Sequence, residues 1–188
     1  MMISVRLRDR SVVVLGGGPV AERRIASLLD EGARVTVVSP QVTVEIEQWA
    51  ATGRIRLERR RYVNGDLRGA RTAFAATGDA DANRVARAEA DARGIWLNVA
   101  DHPSLCDFFM PAVVRRGHLT VAVSTDGASP ALAARLRDQL EQELGPEYAD
   151  VLQQLADLRA RCRREGRPLA DAQEEIEALL ANVLPRKK

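Results

Sequence analysis

The chain has 188 residues, of which 28 are basic and 26 acidic, so its net charge is +2. Arginine supplies 26 of the basic residues, and the only lysines are Lys187 and Lys188. This composition excludes enzymes that need a lysine inside the fold, among them pyridoxal-phosphate enzymes, lysine-dependent aldolases and P-loop nucleotidases. Any general base must then be a carboxylate, a histidine or a cysteine, because guanidinium groups stay charged.

The overall composition predicts the broad class of the protein. With 46% hydrophobic and 29% charged residues, we expect one sizeable core and a smaller appendage. The nearly balanced charge gives no broad field for nucleic acid or acidic membranes, and we interpret 186–188 as a solvated tail. No apolar run is long enough for a signal peptide or a membrane span, so we expect a cytoplasmic protein without membrane or nucleic-acid partners.

The first hundred residues alternate short apolar runs with segments of helical periodicity. The predicted elements, in chain order, are a strand over 11–15, a helix from Val20 to Gly32, a strand over 34–39, a helix over 42–52, strands over 54–58 and 72–77, a helix over 81–93 and a strand over 95–100. Strands that alternate with helices indicate parallel strands joined by crossover helices. We therefore expect an α/β fold with a Rossmann-type parallel sheet.

The regular alternation of predicted strands and helices ends after Asp101. An apolar run over 108–116 leads to a predicted strand over 118–124, and Ser129 and Pro130 provide an N-cap and a first helical residue for a helix that ends near Leu144. The remaining residues predict two amphipathic helices separated near 166–168.

A glycine-rich loop follows the first strand and opens the first helix, with the pattern Gly16-x-Gly18-x-x-Ala21. Glycine permits the tight turn and the close approach of a pyrophosphate, the small third residue lets the helix pack on the strand, and the helix N-terminus attracts phosphate. The loop therefore predicts that Gly16, Gly18, Pro19 and Val20 bind a dinucleotide.

The carboxylate that usually binds the adenosine ribose is missing from the end of the second strand. That place holds Ser39, Pro40 and Gln41, with no acidic residue and no arginine for a 2′-phosphate, so the motif leaves NAD and NADP open. We expect these three residues to contact the ribose. Because ligands bind at the carboxyl ends of parallel strands, we expect further cofactor contacts from Thr77, Asn98 and Val99.

Five blocks follow one another along the chain: VVVLGGGPVAERR, RVTVVSP, AFAATGDADAN, NVADHPSLCDFFMPAVVRRG and TVAVSTDGASPALAARLR. Together they resemble the precorrin-2 dehydrogenase family of siroheme biosynthesis, over roughly residues 3 to 145. The resemblance implies an NAD-binding Rossmann domain over 1–112, a small dimerisation region over 113–145 and a helical C-terminal domain over 146–188. It also implies a homodimer in which NAD⁺ accepts a hydride from precorrin-2 to give sirohydrochlorin.

The resemblance also implies roles for single residues. Asp101 matches the critical acid-base residue of the family's Asn-x-x-Asp stretch, whereas spacing alone reads it equally well as a turn residue before His102. Ser124 and Thr125 match positions associated with substrate binding or modification. This sequence has Thr125 where other members carry serine, and Asp126 where a glycine is common.

Guanidinium groups suit a macrocycle that is fringed with carboxylates. Arg115 and Arg116 are therefore candidate substrate contacts, and the alternative for each is an ordinary solvated charge. Cys106 and Cys162 show no metal-ligand spacing, so we predict no metal site and interpret both as buried or incidental thiols.

Two other functions stay open on the sequence. Some family members also insert iron as sirohydrochlorin ferrochelatase, and the same carboxylate would serve to take pyrrole protons. A dinucleotide-sensing regulatory module would instead use the Rossmann half to bind NAD(H) and the helical tail to signal. The block from Asn98 to Ser129 argues against the sensor, which would have no need of it.

Overall fold

The computed structural model describes residues 2–184, and the segment 186–188 that the sequence predicts as a solvated tail lies outside them. The chain forms two compact units that divide between Phe109 and Met110. The elements of the first unit are β1 (Ser11–Leu15), α1 (Pro19–Asp30), β2 (Arg34–Val38), α2 (Val44–Ala51), β3 (Arg56–Glu58), β4 (Thr72–Ala75), α3 (Ala80–Arg93), β5 (Trp96–Val99) and a short 3-10 helix, Pro103–Leu105.

A five-stranded parallel sheet with the order β3-β2-β1-β4-β5 forms the centre of the first unit. In β1, Val13 pairs with Thr36 of β2 on one side and with Ala73 of β4 on the other. A central parallel strand is covered on both faces, which is why β1 is a nearly continuous run of valines. Because every pair in this sheet is parallel, the carboxyl ends of the strands meet at one edge.

Successive side chains of β1 enter two separate cores. Val12 packs in a cluster with Ile25 of α1 and Ile46 of α2, whereas Val13 packs in a cluster with Ala86 of α3 on the opposite face. Burying one such aliphatic side chain contributes about 2 kcal/mol relative to leaving it exposed. Burial on both faces therefore stabilises the sheet and fixes the strand register.

Helix α3 has well-defined signals at both ends. The Asp79 carboxylate accepts hydrogen bonds from the N–H groups of Asp81 and Ala82, at 3.0 and 3.1 Å. Gly94 ends the helix in the left-handed conformation, with φ of +64°, which costs glycine no steric penalty. These caps set where β4 and β5 connect to the helix.

The turn-rich connection between β3 and β4 is tied to α3 through a buried carboxylate. Glu89 accepts hydrogen bonds from the Tyr62 hydroxyl (2.6 Å), the Gly65 N–H (2.7 Å) and the Arg93 Nε–H (2.8 Å). Burial by itself would raise the pKa of Glu89, but the hydrogen bonds from Tyr62, Gly65 and Arg93 outweigh it and lower the pKa. The ionised carboxylate therefore ties the connection to α3.

The second unit consists of an antiparallel hairpin followed by three helices. Its elements are β6 (Ala112–Arg116), β7 (Leu119–Val123), α4 (Pro130–Glu143), α5 (Glu147–Arg164), a 3-10 helix (Leu169–Ala172) and α6 (Gln173–Leu180). The Arg116 guanidinium donates to the carbonyl groups of Glu141 and Leu144, each at 2.7 Å, and so ties the hairpin to the end of α4. A small core around Leu158 and Cys162 joins α5 to α6.

Within residues 2–184, no helix combines the length and the apolar character that crossing a bilayer requires.

The Rossmann-type sheet and the predicted order of elements are confirmed. The strands end earlier than predicted, β2 at Val38 and β4 at Ala75, because the main chain turns there into the loops of the sheet edge. The apolar run over 108–116 becomes a strand only from Ala112. The segment just before that run instead bonds to β5, with the Asp107 N–H donating to the Leu97 carbonyl at 2.8 Å.

Replacing the buried carboxylate by Glu89→Gln is expected to lower the free energy of unfolding by about 2 kcal/mol at neutral pH, because three donors lose a charged acceptor. The folded pKa is lowered, so this stability is present above the unfolded pKa of about 4.3 and is lost as the pH falls through the folded pKa. Urea unfolding at neutral pH and at about pH 3 should therefore show a difference between wild type and variant that shrinks in acid. Asp81→Asn, on the exposed side of the same helix, is the control, and an equal effect of both variants would contradict the assignment.

Candidate functional site

The carboxyl ends of β1, β2, β4 and β5 lie next to one another in the sheet. Main-chain hydrogen bonds join the loops that follow them, from the Gly16 N–H to the Val38 carbonyl (3.0 Å) and from the Ala100 N–H to the Ala75 carbonyl (2.8 Å). Ligands of such sheets bind outside this edge. All residues predicted to bind the cofactor belong to this edge or adjoin it: Gly16, Gly18, Pro19, Val20, Ser39, Pro40, Gln41, Thr77, Asn98 and Val99.

Two glycines allow the loops to approach so closely. Gly16 has a φ of +105°, and a Cβ there would lie 2.3 Å from the Ala76 carbonyl oxygen. A Cβ at Gly17 would lie 2.2 Å from the Gln41 carbonyl oxygen. Both distances are well inside van der Waals contact, so any side chain at either position would push the loops apart. The sequence pattern did not select Gly17, although three consecutive glycines are a signal for it.

Gly18 differs from its two neighbours, because a Cβ there would meet nothing within 4 Å. It is the N-cap of α1, and no side chain caps this helix end, whereas Thr43, Asp79 and Ser129 cap α2, α3 and α4. Uncapped N–H groups and the helix dipole favour a negative charge at this position. Open space beside an uncapped helix N-terminus fits the pyrophosphate of a dinucleotide. Pro19 and Val20 are exposed in the first turn of the helix.

The end of β2 is held by the main chain. The buried Ser39 donates its hydroxyl hydrogen to the Gln41 carbonyl at 2.6 Å, and its N–H donates to the Glu58 carbonyl at 3.1 Å. Pro40 and Gln41 are exposed at this turn. The Ser39 hydroxyl is therefore engaged within the loop, and Pro40 and Gln41 form the surface that a ribose would contact.

The end of β4 is fixed by Asn83, a residue that is not among the predicted site residues. Asn83 is 2% exposed, and its Nδ2 donates to the Thr77 carbonyl at 3.2 Å. Its Oδ1 is buried and has no hydrogen-bond partner within the described residues. Buried polar atoms are normally paired. This unpaired acceptor lies beside the carboxyl-end edge of the sheet, the ligand edge, so it could accept a hydrogen bond from a bound ligand. An asparagine in line with Ala86 and Ala90 on the buried side of α3 is the signal that could have identified it.

Asp101 lies exposed in the turn that follows β5. The His102 N–H donates to the Val99 carbonyl at 3.3 Å across this turn, and Asp101 has a φ of +61°. Few residues other than glycine adopt this conformation, and aspartate is among those that tolerate it. Such backbone strain is concentrated at functional sites. The structure therefore shows Asp101 at an exposed turn position after β5, and its acid-base role stays a prediction.

Asn98 and Val99 make their described contacts within the protein. The Asn98 Nδ2 donates to the Phe108 carbonyl at 2.9 Å. The Val99 side chain belongs to the core on the α3 side of the sheet. Their roles as cofactor contacts stay predictions.

The four predicted substrate contacts belong to the second unit and lie at opposite ends of its hairpin. Arg115 and Arg116 end β6 next to the turn. Ser124 and Thr125 follow β7 at the other end, about 15 Å away along the strands. The structure does not bring the two pairs together, and substrate binding stays a prediction for each of them.

The loop that contains Ser124 and Thr125 is held by its own hydrogen bonds. The Ser124 hydroxyl accepts from the Asp126 N–H at 3.1 Å, and the Thr125 hydroxyl accepts from the Ser129 N–H at 3.0 Å. Asp126 has a φ of +50° and precedes Gly127 at +82°. A left-handed backbone at residue 126 explains why a glycine suits this position.

Within residues 2–184, no three His, Cys, Asp or Glu side chains lie close enough together to hold a metal ion. Both cysteines are free thiols, with Cys162 buried and Cys106 partly buried. Cys106 and Asp107 nevertheless make several contacts with β5, and neither is among the predicted site residues.

Two family models and a solved structure match this chain. A family model described as NAD(P)-binding matches residues 3–112, and one described as the central part of sirohaem biosynthesis proteins matches residues 116–143. The first unit is thus an NAD(P)-binding domain. The solved structure of SirC, a precorrin-2 dehydrogenase, is similar with a TM-score of 0.80 and 33% sequence identity, covering 95% of this chain and 88% of that one.

Curated relatives include the siroheme synthases of Methylococcus capsulatus, 41% identical over 162 residues, and of Citrobacter koseri, 36% identical over 180 residues. These alignments cover 86% and 96% of this chain but 34% and 39% of the two siroheme synthases. The chain therefore spans little more than a third of the length of these relatives.

The glycine loop provides a matched pair of variants. Gly16→Ala is expected to lower the free energy of unfolding by at least about 2 kcal/mol, from the left-handed backbone and the clash with Ala76. Gly18→Ala should change the free energy of unfolding by less than about 1 kcal/mol. It should nevertheless weaken NADH binding, because the added methyl group occupies the open space above the loop. Urea unfolding and titration of NADH fluorescence measure the two effects. Unchanged NADH affinity in a folded Gly18→Ala protein would contradict the position of the pyrophosphate.

Proposed function

The chain belongs to the family of precorrin-2 dehydrogenases and the matching region of siroheme synthases, and we propose that it oxidises precorrin-2 to sirohydrochlorin with NAD⁺. The observation that carries the proposal is the exposed carboxylate of Asp101, which follows β5 at the same sheet edge as the open loop at Gly18. A dinucleotide site and a proton acceptor thus share one edge.

The oxidation removes one hydride and one proton from the macrocycle and creates one double bond. When bound, the nicotinamide accepts the hydride. Asp101 takes the proton from the ring and passes it to water, which its exposure allows. Gly18 and the first turn of α1 bind the pyrophosphate, and the exposed Pro40 and Gln41 contact the adenosine ribose, while the buried Ser39 holds their loop in place.

We infer a preference for NAD⁺ over NADP⁺ from the side chains in and around residues 39–41, the loop next to the proposed ribose position. No basic side chain occurs among residues 39–41. The end of β3 lies beside Ser39 and is followed by three arginines, Arg59, Arg60 and Arg61. The first two are ion-paired with Glu47 and Asp66. A paired guanidinium is a poorer partner for a 2′-phosphate, because the phosphate would have to displace the carboxylate.

Incubation of the purified protein with precorrin-2 and NAD⁺ is expected to produce NADH and sirohydrochlorin in equal amounts, followed by their absorbance. With NADP⁺ at the same concentration, kcat/KM should fall at least about tenfold, in line with the loss of about 1.4 kcal/mol of binding. Absence of both products would refute the proposed activity. Binding of NADH without any turnover or tetrapyrrole affinity would favour the sensing module.

Asp101→Asn in the same assay should lower kcat at least about a hundredfold and leave the Kd for NADH unchanged, because it removes a base but no dinucleotide contact. Asp157→Asn, an exposed carboxylate on α5, is the control and should keep full activity. Unchanged turnover in the Asp101 variant would remove this residue from the mechanism.

We propose that the protein acts as a homodimer through region 113–145. A two-stranded sheet is marginally stable by itself, and both edges of this hairpin lack a further strand within the described residues. Leu132 and Leu136 lie one turn apart on α4 and are 51% and 39% exposed. Exposed apolar side chains one turn apart are typical of helical interfaces.

Light scattering after size exclusion is expected to give the mass of two chains. Leu132→Glu combined with Leu136→Glu should shift the protein towards one chain, because burying two carboxylates in an apolar interface is unfavourable. Leu169→Glu, an exposed leucine outside this region, is the control. A wild-type protein with the mass of one chain would contradict the dimer.

A further inference from the structure

The open edge of β5 is covered by the chain that follows it. Residues 105–108 turn back along this strand, and the Asp107 N–H donates to the Leu97 carbonyl at 2.8 Å. The Leu97 N–H in turn donates to the Asp107 carboxylate at 2.7 Å. Two residues later along β5, the Val99 N–H donates to the sulfur of Cys106 at 3.1 Å. Side chains thus supply the acceptors that a neighbouring strand would supply in a larger sheet.

The Cys106 sulfur contacts the main chain on both sides of Asp101. Besides accepting from the Val99 N–H, it lies 3.2 Å from the Val99 carbonyl oxygen and 3.4 Å from the His102 carbonyl oxygen, within reach for its S–H. Val99 and His102 are the first and last residues of the turn that contains Asp101. One partly buried thiol therefore bridges the two ends of this turn.

Asp107 anchors the same segment to α3. Its carboxylate accepts from Arg87 at 2.9 Å, and Arg87 also donates to the Leu105 carbonyl at 3.1 Å and to Asp91. Arg87 comes from a helix whose ends are fixed independently, so residues 105 and 107 are attached to a rigid element. The sulfur of Cys106, between these two residues, is thereby held in place.

The turn needs this support, because the left-handed conformation of Asp101 is unfavourable for a residue that has a Cβ. The hydrogen bond across the turn, from His102 to Val99, is long at 3.3 Å. We infer that Cys106 and Asp107 are positioning residues for Asp101, holding its carboxylate at the sheet edge without contacting the reacting atoms. This inference rests on the proposed dehydrogenase function, in which Asp101 is the base.

A double-mutant cycle tests the inference through Asp101 itself. Cys106→Ala should lower kcat by about ten- to a hundredfold, since displacement of a catalytic group by about 1 Å has effects of this size. KM for precorrin-2 and Kd for NADH should change less than about twofold. In an Asp101→Asn background, Cys106→Ala should have no further effect on kcat, because the group it positions is absent. Full activity of Cys106→Ala, or an undiminished effect in the Asp101→Asn background, would overturn the inference.

Two further variants separate positioning from loss of packing. Cys106→Ser keeps an acceptor for the Val99 N–H and a donor for the carbonyl oxygens, so it should recover most of the kcat lost in Cys106→Ala. Cys162→Ser replaces the other thiol, which lies in the second unit, and should leave kcat unchanged. Equal loss in Cys106→Ser and Cys106→Ala, with both proteins folded, would contradict a hydrogen-bonding role.

Amide hydrogen exchange provides a readout that does not need turnover. The N–H groups of Val99 and His102 should exchange faster in Cys106→Ala, while that of Val14 in the sheet centre stays protected. If the wild-type protein does not oxidise precorrin-2, the proposed function fails, and exchange alone decides whether Cys106 fixes the turn. Unchanged exchange at Val99 and His102 would overturn the inference whether or not the protein is active.

Discussion

The contact between Gly16 and the Ala76 carbonyl is the constraint on which the rest of the first unit depends. It brings the loop after β1 against the loop after β4 with no room for a Cβ, and the neighbouring Gly17 does the same towards the loop after β2. The next residue, Gly18, has no side chain that could cap α1, so this helix begins at the sheet edge with an uncapped N-terminus. Of the three glycines in this loop, only Gly18 faces open space, which is where we propose that the pyrophosphate binds.

The edge of the sheet that is formed by β5 is protected by the chain that follows this strand. β5 has a strand on one side only, and an unpaired strand edge invites association with other chains. Here the following segment returns and bonds to β5 through Asp107 and Cys106. The same segment also contacts Val99 and His102, the two ends of the turn that contains Asp101. Protection of the sheet edge and placement of the proposed base are thus one structural feature.

Several of the many arginines of this chain form hydrogen bonds and ion pairs that hold its loops and helix ends in place. Arg87 and Arg116 donate to carbonyl groups as well as to carboxylates, so they fix loops and helix ends as much as they balance charge. Burial by itself would lower the pKa of Arg87, but the hydrogen bonds to Asp107 and Asp91 raise it. The arginine excess therefore has a structural use at several positions, and Arg116 in particular is already bound within its own unit.

The sequence by itself determined the sheet, the order of its elements and the glycine loop, because hydrophobic periodicity and glycine spacing are local signals. The family resemblance added Asp101, which spacing alone could not distinguish from a turn residue. Only the tertiary structure revealed Asn83, Cys106 and Asp107 as supports of the ligand edge, since their partners lie on other elements or across a turn. The separation of Arg115 and Arg116 from Ser124 and Thr125 was likewise decided by the hairpin register, because pairing between strands sets distances that sequence separation does not.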